Sequence, residues 1–275
     1  MRNLLSLTTL LTRVALLASA ALVVPGCSKK EVVAPSPQSA ASADARSADK
    51  TKTFYGPAVP LGQGAGRAWV KVNDAGQPLA IGLELSAKAV ENQGEEEKNY
   101  VFQLPRQVDA LPYDHIEFGW NPHGHEPANI YTFPHFDVHF YMISSAVQAT
   151  IPFLAPPALD APLAPQYVAP AYIETPGLVP NMGAHWVDVL SSEFQPGGKF
   201  TKTFIYGSYS GKLTFLEPMI TLAYLKQHGT ETTPIRQPQA FQQAGYYPTS
   251  YTISYDNSPK DYLISLDNLQ YHPAQ

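Results

Sequence analysis

The sequence predicts an all-β or β-rich fold: a single antiparallel barrel- or sandwich-like domain with a long proline-rich arm and few short helices. Three observations lead there. Twenty-six prolines and 18 glycines in 275 residues work against long helices, since Pro removes a backbone donor and Gly loosens the chain. Sixteen tyrosines and 12 phenylalanines suit pleated strands. Runs with a period of two, separated by turn signals, recur from residue 53 onward. The chain is 44% hydrophobic and only 15% charged, enough apolar content for a sizeable core and too little charge for a disordered protein.

The N-terminal 26 residues read as a targeting segment. Arg2 and Arg13 precede an apolar run at 14–24 that is too short to span a bilayer and suits a signal-peptide core. The run ends in Val24-Pro25-Gly26-Cys27. A small residue before the only cysteine resembles a bacterial lipobox, although Pro25 is a less usual choice; an ordinary signal peptide with a chance cysteine is the alternative. The lipobox implies cleavage before Cys27, acylation of its sulfur and attachment to the lipid bilayer. Ser28 follows in place of Asp, which implies sorting to the outer membrane on its periplasmic face. Residues 27–52 comprise that lipidated cysteine and a Ser/Ala/Asp/Lys-rich flexible tether of roughly 25–30 Å as a coil. A single cysteine rules out an intrachain disulfide. Without the leader the chain carries 16 basic and 23 acidic residues, a net charge near −7, which gives no support to nucleic-acid binding.

Residues 53–275 form the single β-rich domain. Residues 67–73 and 79–85 flank the turn signal Asp74-Ala75-Gly76-Gln77-Pro78 and read as a hairpin. A polar loop at 91–98 leads to strands at 100–104 and 115–120. In the latter, Ile116, Phe118 and Trp120 share one face, and His115 and Glu117 the other. His115 reads as a surface or rim residue.

The stretch at 121–144 holds four of the eight histidines, His123, His125, His135 and His139, together with Glu126 and Asp137. Pro122, Gly124 and Pro127 make its first part a rigid loop. Residues 135–144 read as a strand with His135, Asp137, His139 and Tyr141 on one face and Phe136, Val138, Phe140 and Met142 on the other. Four residues of strand span roughly 13 Å, so His135 and His139 do not reach one ion together. A site requires the loop to fold over the strand so that His125 or His123 meets one end of it. No Lys or Arg occurs between Gln107 and Gly198, a segment with six of the histidines and nine acidic residues. Imidazoles and acids without fixed cations suit a divalent metal ion: zinc first, with copper, iron or manganese also compatible. Polar histidines that only hydrogen-bond on a wet sheet face are the competing reading.

Residues 151–180 contain eight prolines and too many apolar side chains for a solvated linker; they read as an extended arm packed over the domain or a neighbouring subunit. His185 opens a short strand just after Gly183 and is a ligand candidate from a distant part of the chain. Residues 199–207 and 212–220 form the clearest hairpin, with Leu213, Phe215, Glu217 and Met219 on one face. A carboxylate in such an apolar row is costly unless paired or metal-bound, so Glu217 is a candidate ligand. Residues 223–228 suit a short helix, 234–243 a loop or helix, and 246–255 with 262–271 a last hairpin; His228 and His272 read as surface residues.

Four blocks, GHEP at 124–127, PHFDVHFY at 134–141, MGAHW at 182–186 and FIYGSYSGKLTFLEPMIT at 204–221, resemble a family of uncharacterised bacterial secreted and lipoprotein β-domains. The resemblance implies a β-rich domain, with ring assembly among its forms, and no established activity. It marks His125, Glu126, His135, Asp137, His139, His185 and Glu217 as motif positions and leaves His123 outside. There is no nucleophile elbow, phosphate loop or nicotinamide fingerprint.

Three functions fit. One is a membrane-tethered periplasmic metal-binding protein using His125, His139 and His185 with Glu126, Asp137 or Glu217. Another is a hydrolase- or lyase-type metalloenzyme with a metal-bound water and Glu126 as general base. The third is an envelope protein in which the arm and the tyrosines serve homo-oligomer contacts. The substrate is not legible.

Overall fold

A computed structural model describes residues 50–275 apart from 109 and 110. The leader, Cys27 and most of the tether lie outside the described residues. The chain opens with β1 (Thr51–Tyr55), β2 (Val59–Leu61), β3 (Gly64–Asn73), β4 (Pro78–Ser86) and the helical turn α1 (Ala87–Glu91). Next come β5 (Lys98–Gln103), β6 (His115–Asn121), β7 (His135–Tyr141) and α2 (Ser145–Gln148). β8 (Tyr172–Glu174), β9 (Ala184–Asp188), β10 (Lys202–Tyr209), β11 (Lys212–Thr221) and α3 (Leu222–Leu225) make the middle. β12 (Glu231–Pro234), β13 (Gly245–Tyr247), β14 (Ser250–Asp256), β15 (Asp261–Asp267) and β16 (Gln270–His272) complete it.

Two seven-stranded antiparallel sheets result. The first runs β1-β3-β4-β15-β14-β12 with β2 also on β3, and the second β5-β6-β7-β11-β10-β9-β8. Neither closes, so the architecture is the sandwich and not the barrel. Thr51 and Lys52, read as the end of the tether, instead pair with Asn73 and Val72 and belong to β1. The β3–β4 turn forms where its residues demand: Asn73 Oδ1 accepts the Ala75 and Gln77 amides. Residues 223–228 shrink to the single turn α3, and β8 appears inside the arm, paired with β9. The arm packs through Ile151, Leu163, Tyr172 and Leu178, which are buried.

Val70, Ile81, Leu83, Ile253 and Ile264 of the first sheet share one core with Phe118, Phe136, Val138, Phe140, Leu216 and Ile220 of the second. Each such side chain contributes about 1.5–3 kcal/mol on burial. This fixes the register of β7, because a one-residue slip would drive His135, Asp137 and His139 into that core. The opposite side of the second sheet therefore carries His115, Glu117, His135, Asp137, His139, Tyr141, Phe215, Glu217 and His185.

That side is covered. Tyr131 and Phe200 pack on Tyr141, Phe215, Met219, Ile205 and Val187, with Ile130, Met182 and Phe194 around them. All seven residues of β7 are buried. Leu213, expected beside Phe215, lies in the core between the sheets. The β10–β11 register shifts between Gly207 and Ser208, and a bulge reverses the alternation there.

Candidate metal centre

Two groups of two histidines and one carboxylate stand on the covered face, each offering ligand atoms within 4.8 Å of one another. The first is His125, His135 and Asp137. Strand alternation puts His135 beside Asp137, with Nε2 3.1 Å from Oδ1. His125 arrives from the loop, with Nε2 3.4 Å from Oδ2. The loop turns at Gly124, where φ is +67° and a Cβ would lie 2.1 Å from the Tyr131 carbonyl oxygen. Only glycine fits that turn. The His125 amide then donates to Tyr131 O at 3.1 Å.

The outward nitrogens of this triad are decided by the inward ones. His125 Nδ1 lies 2.7 Å from the Glu126 carbonyl oxygen, and His135 Nδ1 lies 2.7 Å from that of Phe133. A carbonyl only accepts, so both Nδ1 atoms carry protons, and each ring turns its Nε2 toward the carboxylate. His135 Nε2 and Asp137 Oδ1 are buried without a hydrogen-bond partner. A proton or a metal ion between these atoms satisfies both sides. Asn121 Nδ2 donates to Asp137 Oδ2 at 2.7 Å and steadies it. Burial alone would raise the Asp137 carboxyl, yet His125 and His135 outweigh it and hold it well below its ordinary range. Burial opposes protonation of His125, but Asp137 and the Glu126 carbonyl raise its pKa on balance.

The second group is His139, His185 and Glu217. The β7–β11 register sets Glu217 across from His139, with Nε2 to Oε1 at 3.5 Å. His185 comes from β9 across β10, with Nε2 4.0 Å from Glu217 Oε2. Its β10 partner is Gly207, where a Cβ would meet the Phe215 ring at 2.1 Å. The missing side chain lets Phe215 pack edge-on against both His139 and His185. His139 Nε2 and Glu217 Oε2 have no hydrogen-bond partner. Burial, followed by the nearby Asp137 charge, pushes the Glu217 carboxyl well above its usual range. Burial likewise depresses His139 and takes His185 down to about 3.

These positions revise the expected single site. His125 joins His135 and Asp137, while His139 and His185 meet at Glu217. Glu126 belongs to neither triad; its carboxylate accepts the Ala128 amide in its own exposed loop, because the Gly124 turn directs His125 inward and Glu126 outward. His123 is 73% exposed, with Glu95 Oε2 4.0 Å away. His115 is not a rim residue but fully buried. Asp114 Oδ1 lies 2.8 Å from its Nδ1 and Glu117 Oε1 3.5 Å from its Nε2. Despite burial, these carboxylates raise the His115 pKa. Against its own burial, Glu117 is lowered to about 2 by His115, Asn99 and Gln148. His115 is thus clamped by two carboxylates, as His125 is by one, whereas His139 and His185 are depressed. Sequence reasoning missed this cluster and Asn121; an Asp before a His-x-Glu alternation is the signal that marks the former.

A cavity of about 660 Å³ lies elsewhere, lined by Tyr172, Phe204, Lys202, Arg236 and Tyr251 among others. Its cations are engaged, Lys202 with Glu231 at 3.0 Å and Arg236 with Asp188 at 2.8 Å.

Comparison with protein-family models, curated proteins and solved structures returns no match. Fold and site together define a β-sandwich with buried His/carboxylate groups close enough to hold a metal ion.

Proposed function

We propose that this is a lipid-anchored periplasmic protein that binds a divalent metal ion, zinc first, through His125, His135 and Asp137. One observation carries the reading: two histidines whose Nδ1 protons are engaged by backbone carbonyls turn their Nε2 atoms toward one buried carboxylate. Ligand histidines usually donate their other ring N–H in this way, which fixes tautomer and ring orientation. His135 Nε2 faces Oδ1 at 3.1 Å and His125 Nε2 faces Oδ2 at 3.4 Å, and one ligand atom from each residue lies within 4.8 Å of the others, compatible with His and carboxylate ligands around one zinc ion. Copper, iron and manganese accept the same donor types. The anchor rests on Cys27 and the apolar run before it, which would tether the domain to the periplasmic face of the outer membrane.

The test is the metal content of the purified protein after exposure to zinc, copper, iron and manganese and removal of free ion. We expect bound metal in wild type and its loss from this triad in Asp137→Asn. A wild-type protein that stays metal-free after every challenge sinks the proposal.

A metal-dependent enzyme is the second reading. It is favoured by His125, whose side chain is 39% exposed, since three protein ligands beside an accessible edge leave a coordination position for water. Glu126, the general-base candidate, accepts the Ala128 amide in its own loop next to His125.

A further inference from the structure

We propose that His139, His185 and Glu217 form a second cation site, separate from the first and more deeply buried, with only His185 partly exposed, so that the sheet face holds two ions. The inference takes the type of ion from the metal reading above but stands on different atoms.

The two triads share no ligand. Asp137 and His139 belong one to each and are two residues apart on β7, a strand repeat of roughly 6.6–6.8 Å. Because no carboxylate is common to the two groups, each is read as a mononuclear site.

Burial and unpartnered polar atoms mark the second triad. Glu217 is 1% exposed and flanked on its own strand by Phe215 and Met219. Its Oε2 and the His139 Nε2 are buried without a hydrogen-bond partner, an arrangement that native interiors rarely tolerate. The Oε1 and Oε2 atoms face different imidazoles, at 3.5 and 4.0 Å, so an ion among them answers both orphaned atoms at once. The three ligands come from β7, β9 and β11, with no loop among them. Phe215 stacks edge-on against both imidazoles, and Val187 and Met219 pack around Phe215. An ion here is a strut across three strands and exchanges slowly. The ion at His125, on a loop with an exposed edge, exchanges faster.

Full-length protein is loaded with zinc, freed of excess metal, and its zinc counted, with folding checked by circular dichroism. We expect two equivalents in wild type and one in His185→Ala, with Asp137→Asn keeping the slowly exchanging one. Glu217→Gln, which alters the triad with little change of shape, is the second variant should His185→Ala fail to fold; it too is expected to hold one. Exposure of wild type to a chelator should remove the two ions in separate phases. Two equivalents in folded His185→Ala or Glu217→Gln overturn the proposal. One wild-type equivalent that these variants keep and Asp137→Asn loses overturns it while the first site stands. One equivalent lost in these variants and kept in Asp137→Asn upholds it and overturns the first site. No zinc in wild type overturns both.

Discussion

The two triads have the same composition, two imidazoles and a carboxylate, and sit one strand repeat apart on β7, yet their electrostatics are opposite. Asp137 is held as an anion, whereas burial makes Glu217 prefer its proton and keeps both of its histidines neutral. The surroundings explain the difference. Asp137 has the Asn121 amide and two histidines braced by carbonyls. Glu217 has Phe215, Met219 and no donor on Oε2. Ligand identity alone therefore does not set the state of a metal-free site; the hydrogen bonds around the carboxylate do.

The largest expected effect separates the two carboxylates in the metal-free protein. Asp137→Ala removes the only anion facing two histidines and should cost about 3 kcal/mol. Glu217→Gln keeps the shape of a carboxyl that burial pushes toward its protonated form and should cost about 1 kcal/mol or less. Chemical denaturation without metal measures both, and equal losses would erase the comparison.

The pH profile is the next test. The lowered Asp137 adds stability that is present above its ordinary value of 3.8 and is lost as pH falls below it. The raised Glu217 works the other way: its contribution is complete below 4.5 and is lost as pH rises through its higher folded value. His139 and His185, both depressed, favour the fold above 6.5 and oppose it below. The Glu217 contribution is therefore read above pH 4.5, as the difference between the melting-temperature profiles of metal-free wild type and Glu217→Gln, both of which carry His139 and His185. Parallel profiles for the two proteins would refute it.

A smaller effect is expected from Asn121→Ala. Losing the donor to Asp137 Oδ2 should weaken metal binding at the first triad by roughly 10–100-fold and leave the second untouched, as read by chelator competition. An equal loss at both would mean that Asn121 supports the sheet and not the carboxylate. The smallest effect belongs to His123→Ala, which should leave metal content unchanged and stability within about 0.5 kcal/mol. His139→Ala should lower metal content. Equal retention in both variants would count against the assignment of His139.

Much of the scaffold was legible because it follows local rules. The alternation at 135–141 named the faces of β7, Asn73 to Gln77 announced the first turn, and the β10–β11 and β14–β15 hairpins followed from their patterns. The residue types of the candidate groups were legible too, since a segment rich in His and acid and without Lys or Arg suits a cation. Their grouping was not. His185 could be named, but its meeting with His139 depends on β9 and β7 lying on either side of the β10–β11 hairpin. Leu213 was misplaced by a bulge, and His115 by the covering of a face that alternation only calls polar.

The sequence by itself determined which residues face away from the apolar core, because a period of two and the cost of burying charge leave β7 no other register. It also determined that the stretch at 122–127 is a loop, from Pro122, Gly124 and Pro127. Tertiary structure alone decided that the polar face is roofed by Tyr131 and Phe200, and that its ligands divide into two triads. Strand order and the hydrogen bonds of each carboxylate are non-local quantities, and no spacing along the chain encodes them directly.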